Sequence, residues 1–264
     1  MRFNSDGKFK IMQITDIQEI PKVSPDTLKL INAALESEKP DLAVFTGDQI
    51  KGYGVSYKGR GNELAENVAE TVRTLLKPVT DRHIPMFEHY NVLRRVGKHE
   101  KGAIPAFRVH KGEYYKTDES KCVEGSVLLE PPSIPDINTG EFEALKEKGD
   151  VLGVYVGHDH KNSYVGKTDD IDVGFTPSVG FNVYGNGKQR GVRCFVLDEK
   201  NPRNYKTYTR TYKQLCDGKL NTPLKDAVWR VVPTTMDMAK PMIAKALAAI
   251  AAAAALAVVA VKIF

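Results

Sequence analysis

Polar side chains of metal-binding type follow three short apolar runs of the sequence. Asp16 and Gln18 follow "KIMQIT", Asp48 follows "DLAVFTG", and His158 and His160 follow "VLGVYVG". Short, unbroken, apolar runs of this kind are typical of buried strands in an α/β sheet. Ligands of such sheets bind at the carboxyl ends of the strands, so these five side chains are predicted to converge. Carboxylates that can bridge two cations, together with imidazoles, predict a site for divalent metal ions.

Each feature also has a simpler explanation when it is taken alone. An aspartate such as Asp16 after a strand is usually a helix cap or a turn former. The two histidines by themselves are equally well read as polar loop residues. The three segments together, in the order D-x-Q, G-D and G-H-x-H, favour the metal site.

The elements that must position these residues begin as alternating strands and helices. Ser24 and Pro25 mark the start of a first helix, and residues 62–79 predict a second. This order predicts a parallel sheet with right-handed crossovers. Three later segments, 171–176, 190–198 and 204–212, alternate in polarity between turn signals and predict antiparallel strands of a second sheet. The predicted fold class is therefore α/β (an α+β sandwich), with two packed mixed β-sheets flanked by helices.

One expected element is missing. After the second helix the sequence of residues 80–102 is polar and broken, and it contains no clean apolar run for a third strand. This absence bears on the chemistry that the chain can perform.

The motifs resemble those of the calcineurin-like metallophosphoesterases, in particular the bacterial branch that is similar to class III purple acid phosphatases. The resemblance rests on "QITDIQE", "VFTGDQI", "HIPMFEHYNVL", "VYVGHDHKN" and "VYGNGKQRGVR", and it covers most of residues 8–215. It implies a metallophosphoesterase-like fold, a pair of divalent metal ions (Mn, Fe or Zn), and hydrolysis of a phosphorylated small molecule or other phosphoester.

The resemblance also implies a role for each matching residue. Asp16 and His160 would bind the first metal ion, Asp48 would bridge the two ions, and His83 and His158 would bind the second. The simpler explanation of His83 is a loop histidine that packs on a neighbouring tyrosine.

Two further residues are implied with less specific roles. Gln18 stands where many relatives have histidine, and its amide oxygen would be a weaker ligand of the first metal. Arg190 would contact a substrate phosphate, since guanidinium groups bind phosphate bidentately. The alternative for Arg190 is a solvent-facing residue at the start of a strand.

The sequence departs from the family pattern in one motif. Relatives have a G-N-H-D/E segment that supplies an Asn ligand and a His that assists the leaving group. Gly61-Asn62-Glu63 lies too early to match it, and Gly185-Asn186-Gly187 lies too late. An internal deletion near Arg82–His83 explains the missing strand and the missing motif together. No catalytic residue is therefore assigned, and hydrolysis is expected to be impaired.

Two other hypotheses remain open. The chain could be a non-catalytic, metal- or phosphate-binding, membrane-associated module that kept the fold and lost the chemistry. It could also be a truncated gene product that folds poorly, because a sheet without its inner strand has an unpaired edge.

Composition excludes some classes of function. The formal charge of +5 is scattered without a Lys/Arg block, so nucleic-acid binding is not indicated. The three cysteines have no ligand spacing, which argues against a disulfide framework and favours a reducing compartment.

The two ends of the sequence differ. The N-terminus has no apolar region of signal-peptide type, whereas the sixteen residues between Lys245 and Lys262 have no polar side chain. We expect a phosphoesterase domain at 1–232 and an apolar helix at 239–264. The helix predicts a single C-terminal membrane anchor, with the domain on the cytoplasmic side by the positive-inside rule. The alternative is a helix that docks on the domain or self-associates.

Overall fold

The structure is a computed structural model that describes residues 2–20, 22–49, 51, 86–138, 140–217 and 219–263, with side chains up to residue 254. The chain divides into two compact units, Met1–Arg230 and Val231–Phe264. The predicted second helix (62–79), the predicted ligand His83 and the predicted deletion point near Arg82–His83 lie outside the described residues.

The first unit contains ten strands within the described residues. They are β1 (Lys8–Ile14), β2 (Leu42–Phe45), β3 (Leu93–Arg95), β4 (Ile104–Pro105), β5 (Tyr114–Thr117), β6 (Gly153–Val156), β7 (Val165–Thr168), β8 (Ile171–Phe175), β9 (Gly191–Asp198) and β10 (Lys206–Thr211).

The strands form three sheets, two of which are mixed. The first has the order β10-β9-β1-β2, with β1 parallel to β2 and antiparallel to β9. The second has the order β6-β8-β7, with β6 parallel to β8. The third is a small antiparallel sheet of order β3-β5-β4. The fold is thus mixed α/β, as predicted.

The sheet membership of the late strands differs from the prediction. Strands β9 and β10 pair with each other as expected, but β9 also pairs with β1 along Lys8–Gln13, so both strands belong to the first sheet. Val192 and Cys194 of β9 are fully buried in the same cluster as Met12 of β1. An alternating pattern fixes which face of a strand is buried, whereas the neighbouring strand is chosen by long-range packing.

The apolar core of the first unit consists of two clusters. One lies on the first sheet and includes Met12, Leu30 and Phe181, and the other joins the second and third sheets and includes Tyr164 and Phe175. A polar residue of β1, Gln13, connects the sheets. Its amide nitrogen donates to Thr46 Oγ1 (3.0 Å) and to the Tyr155 carbonyl (3.3 Å), and its amide oxygen accepts from Thr176 Oγ1 (2.6 Å).

Five α-helices accompany the sheets in the described part of the chain: α1 (Pro25–Glu38), α2 (Glu141–Lys146), α3 (Tyr212–Leu215), α4 (Pro223–Val231) and α5 (Met236–Ile263). Helix α1 begins as predicted, with Ser24 at the N-cap and Pro25 in the first turn. The Glu19 carboxylate accepts hydrogen bonds from Ser24 N (2.9 Å) and Thr27 Oγ1 (2.6 Å), which fixes the loop before the helix.

The predicted membrane anchor is wrong. Within the described part of the chain, no helix combines the length and the apolar character that a membrane crossing requires. Helix α5 begins with a segment that contains Asp237, Lys240, Pro241 and Lys245, so only sixteen of its residues form a run without polar side chains. A span needs about 20. The predicted placement of the domain on the cytoplasmic side of a membrane is withdrawn with the anchor.

Candidate metal centre

Asp16 is the centre of a polar cluster at the carboxyl ends of β1 and β2. The two strands are parallel neighbours, so the residues that follow them meet at one edge of the sheet. The Asp16 carboxylate is 1% exposed, and its Oδ2 accepts hydrogen bonds from Thr15 Oγ1 (2.7 Å) and from the His158 backbone N–H (3.0 Å). The loop after β2 is attached by a hydrogen bond from Gln18 N to the Asp48 carbonyl (2.8 Å).

His160 faces Asp16 from the loop after β6. Its Nε2 lies 3.3 Å from Asp16 Oδ1, and its Nδ1 lies 2.9 Å from the Tyr184 carbonyl oxygen. A carbonyl oxygen only accepts hydrogen bonds, so Nδ1 carries a proton and Nε2 is the nitrogen available to other partners. This is the orientation in which histidine ligates a metal through Nε2.

Asp16 and His160 shift each other's titration. Burial alone would raise the pKa of Asp16, but the hydrogen bond and charge of His160, with the bonds from Thr15 and His158, lower it below its usual value. Burial alone would lower the pKa of His160, but the hydrogen bond and charge of Asp16 raise it. The two groups therefore favour an ion pair, and a cation bound here must displace the His160 proton.

Gln18 lies between the other two polar groups of the cluster. Its amide nitrogen donates to Asp48 Oδ2 (2.5 Å) and lies 3.4 Å from His160 Nε2. The N–H donors of the amide thus face two groups that would otherwise offer their electron pairs to a cation.

The backbone around the cluster is unusual. Eight described non-glycine residues have positive φ, and four of them are predicted ligands: Asp16 (51°), Gln18 (41°), Asp48 (51°) and His158 (70°). Such conformations cost energy and concentrate at functional sites.

A glycine is required where the loop after β6 meets β1. A Cβ atom at Gly157 would overlap the Asp16 carboxylate and Thr15 Oγ1. The close approach of the two loops therefore depends on the absence of a side chain at this position.

The structure brings together four of the predicted metal ligands. Asp16, Gln18 and His160 are buried, whereas Asp48 is exposed at the edge of the cluster. The side chain of His158 is exposed, and the residue contributes to the cluster through its backbone N–H. Among the described residues no group of three or more His, Cys, Asp or Glu side chains is arranged to hold a metal ion. The ligand set thus stays a prediction.

Arg190 is placed differently from a solvent-facing or substrate-facing residue. Its side chain is fully buried, and the guanidinium donates to Ser178 Oγ (3.0 Å), to the Val183 carbonyl (2.7 Å) and to the Gly180 carbonyl. In this arrangement its donors hold the loop of residues 178–184.

Three residues around His160 had no role in the sequence analysis. Tyr184 stacks on the His160 ring, and Glu130 and Asp159 are carboxyl groups buried behind it. Glu130 Oε1 accepts from Lys161 N (2.7 Å) and Asp159 Oδ2 accepts from Ser133 N (3.1 Å). Burial raises the pKa of both carboxyl groups. Tyr184 and Asp159 lie inside motifs that the sequence did signal, whereas nothing in the sequence pointed to Glu130.

An apolar cleft of about 430 Å³ lies elsewhere, between β1, β2, β6 and β9. Its wall includes Val44, Leu152, Phe195 and Leu197 and none of the predicted ligands. Because its lining is mostly apolar, the candidate chemistry is assigned to the strand ends and not to this cleft.

Comparison with known proteins finds two similar sequences. No family model matches the chain. Two proteins of Arabidopsis thaliana are similar to it: "Probable inactive purple acid phosphatase 29", 22% identical over 87% of this chain and 88% of the relative, and "Probable inactive purple acid phosphatase 14", 23% identical over 73% and 76%. The chain thus has weak homology to two proteins whose names place them among the purple acid phosphatases. The predicted resemblance to the calcineurin-like metallophosphoesterases is thereby confirmed.

Two solved structures are also similar. One is a conserved protein of Streptococcus pneumoniae TIGR4 described as a predicted phosphoesterase, with a TM-score of 0.30 and 12% identity over 77% of this chain and 98% of that one. The other is Vacuolar Protein Sorting 29 from Cryptosporidium parvum, with a TM-score of 0.30 and 14% identity over 78% and 98%.

The alignments also show how much shorter this chain is. The first extends over 342 residues, although 87% of a 264-residue chain is only about 230 residues, so roughly 110 aligned positions have no counterpart here. The second gives the same difference, because 305 positions cover 73% of the chain, or about 193 residues. The internal-deletion hypothesis requires a missing segment of this size.

Proposed function

We propose that the chain is a metal-dependent phosphoester hydrolase of the calcineurin-like type whose turnover is impaired. The observation that supports it best is the buried pair of Asp16 and His160, with Gln18 and Asp48 beside it at the carboxyl edge of the first sheet. The homology to purple acid phosphatases supports the reaction class.

The donor types in the cluster fit a divalent cation. Asp16 and Asp48 would supply carboxylate oxygens, Gln18 an amide oxygen after rotation of its amide, and His160 the Nε2 nitrogen; such a mixed set suits Mn²⁺, Fe²⁺ or Zn²⁺. A bound ion would polarise a phosphoryl oxygen and lower the pKa of a bound water. His83 and His158 are the proposed ligands of a second ion, which Asp48 would bridge.

The residues of this chain also explain why turnover should be slow. The exposed His158 side chain would give a second ion a ligand that the fold does not orient, in contrast to the buried Asp16 and His160. The missing G-N-H-D/E segment removes the histidine that assists the leaving group, and loss of a general acid typically costs about 10²–10⁴-fold. Esters with good leaving groups should therefore be hydrolysed far better than alkyl esters.

The experiment compares p-nitrophenyl phosphate with an alkyl phosphomonoester in the presence of Mn²⁺ or Zn²⁺ and after chelation. We expect slow, metal-dependent hydrolysis of the aryl ester, loss of that activity in Asp16→Asn, and no loss in Asp150→Asn, an exposed carboxylate away from the cluster. Absence of metal-dependent hydrolysis would refute the proposed activity. Turnover of the alkyl ester near the enzyme median of about 10 s⁻¹ would refute the impairment.

A second candidate is a metal- or phosphate-binding module without catalysis. Two observations favour it: the names of both relatives contain the word "inactive", and the Gln18 amide directs N–H donors at Asp48 and His160. It predicts a rise in melting temperature with Mn²⁺, Zn²⁺ or phosphate, by mass action, without hydrolysis of p-nitrophenyl phosphate.

A further inference from the structure

We propose that Tyr184 is a positioning residue that fixes the ring plane and the tautomer of His160, and that Arg190 holds Tyr184 in place. The expected effect on metal binding rests on the proposed function, whereas the positioning of the His160 ring can be measured without metal.

Tyr184 contacts His160 in two independent ways. The two rings are stacked, with centroids 4.2 Å apart and planes 11° from parallel. The backbone carbonyl oxygen of the same residue accepts the hydrogen bond from His160 Nδ1 at 2.9 Å. The stack fixes the plane of the imidazole, and the carbonyl fixes which nitrogen carries the proton.

Tyr184 is itself held by its surroundings. Burial and the neighbouring carboxyl group of Glu130 raise the pKa of its hydroxyl. Its carbonyl oxygen also accepts a hydrogen bond from the Arg190 guanidinium (3.3 Å). The stack with His160 and this bond to the adjoining carbonyl leave the residue little freedom to turn.

Arg190 makes the loop around Tyr184 rigid. Its guanidinium contacts acceptors on Ser178, Gly180 and Val183, and it lies over the ring of Phe181 with its carbon 4.9 Å from the ring centroid. A guanidinium has five donors in a fixed plane, so it can bind several carbonyl oxygens of one loop at the same time; a lysine ammonium has no such plane.

The consequence for the cluster is geometric. With Nδ1 bound to the Tyr184 carbonyl, Nε2 is directed at the cluster, 3.3 Å from Asp16 Oδ1 and 3.4 Å from the Gln18 amide nitrogen. Partners of this kind behind a ligating histidine typically contribute about 10–100-fold to metal affinity. Arg190 and Tyr184 thus act on the site through His160.

The first test titrates the full chain with Co²⁺ and records its visible absorption spectrum. We expect Tyr184→Leu to weaken Co²⁺ binding about 10–100-fold and to change the spectrum, whereas Tyr184→Phe, which keeps the stacking ring, stays within about threefold of the natural protein. Tyr115→Leu is the matched control, because Tyr115 likewise packs its ring against a histidine, His110, outside the cluster. Its Co²⁺ affinity should not change.

The second test needs no metal. ¹⁵N NMR of the histidine rings, at a pH where they are neutral, should show His160 with the proton on Nδ1 in the natural protein. Loss of the Tyr184 ring or of the Arg190 guanidinium should let the loop shift, so that the backbone carbonyl of residue 184 moves away from Nδ1. We therefore expect a mixture of tautomers in Tyr184→Leu and Arg190→Lys. His89, whose Nδ1 bonds to the Met86 carbonyl (3.0 Å), is the internal reference and should keep one tautomer throughout.

The two tests separate failure of this proposal from failure of the proposed function. A natural protein that binds no Co²⁺ refutes the metal site, and the NMR tautomers still decide whether Tyr184 positions His160. Unchanged tautomers in both variants would overturn the positioning role. Should Tyr184→Leu fail to fold, Arg190→Lys carries the same expectation for both the spectrum and the tautomer.

Discussion

The two halves of the candidate site differ in how far the fold prepares them. Asp16, Gln18 and His160 are buried, and His160 Nε2 lies 3.3 Å from Asp16 Oδ1 and 3.4 Å from the Gln18 amide nitrogen. Asp48 and His158 are exposed, and His158 is attached to the cluster through its backbone N–H. The fold therefore orients the side chains of the buried half, whereas those of the exposed half would have to be ordered by the proposed cation itself. Preorganisation lowers the cost of binding, so the halves should contribute unequally.

The largest expected effect comes from adding a side chain at Gly157, where the loop after β6 lies against the residues that follow β1. Gly157→Ala places a methyl group into the Asp16 carboxylate and Thr15, and we expect it to lower the free energy of unfolding by about 3 kcal/mol and to abolish metal-induced stabilisation. Urea unfolding and melting curves measure both. Gly97→Ala is the matched control, because a Cβ there has nothing within 4 Å. Similar stability of the two variants would show that the loops can separate at little cost.

His89 is a buried histidine whose Nδ1 bonds to a backbone carbonyl, whereas His160 also faces the carboxylate of Asp16. It therefore shows what burial does to a histidine when no carboxylate opposes it. Burial lowers the pKa of His89 from 6.5 to about 4. Below pH 6.5 the unfolded chain therefore binds a proton at His89, whereas the folded chain does not bind it until about pH 4. The free energy of unfolding is thus highest above pH 6.5 and falls as the pH drops to 4. At 1.36 kcal/mol per unit, this loss is about 3 kcal/mol.

The measurement is the difference between unfolding curves of the natural protein and of His89→Leu over that pH range. We expect the variant to lose about 3 kcal/mol less than the natural protein between pH 6.5 and 4. Parallel curves for the natural protein and His89→Leu would contradict the assigned pKa.

Alanine substitution of the histidine in each half tests most directly whether the two halves contribute unequally to metal affinity. His160→Ala removes an oriented ligand, and we expect it to weaken Mn²⁺ or Zn²⁺ binding roughly 100-fold, which corresponds to about 2.7 kcal/mol. His158→Ala should cost less than about tenfold, because its imidazole is not held by the fold. Calorimetric titration decides between them. Equal losses would mean that the exposed half is as important as the buried one.

The smallest predicted effect is a gain. Gln18→His replaces an amide whose N–H groups face Asp48 and His160 by an imidazole that can offer an electron pair. We expect about a tenfold increase in Mn²⁺ or Zn²⁺ affinity. Asn201→His adds a histidine at an exposed turn and should change nothing. A decrease in affinity in Gln18→His would indicate that the amide oxygen is the better ligand at this position.

The sequence by itself determined the local elements and the strand ends of the site. The apolar runs ending near Ile14, Phe45 and Val156 are strands β1, β2 and β6, and Ser24 and Pro25 start a helix. These features depend on side-chain period and on local capping chemistry, which neighbouring residues carry. The family resemblance followed from the polar motifs after those strands.

Only the tertiary structure decided what each polar group contacts. Strands β9 and β10 belong to the first sheet. Arg190 is buried and hydrogen-bonds to the loop of residues 178–184, and Tyr184 stacks on His160. The bond between His158 N and Asp16 joins residues that are 142 apart in the sequence. Spacing along a chain sets which face a side chain occupies, but the tautomer, charge and exposure of a group depend on atoms brought near by packing, and no local pattern encodes those.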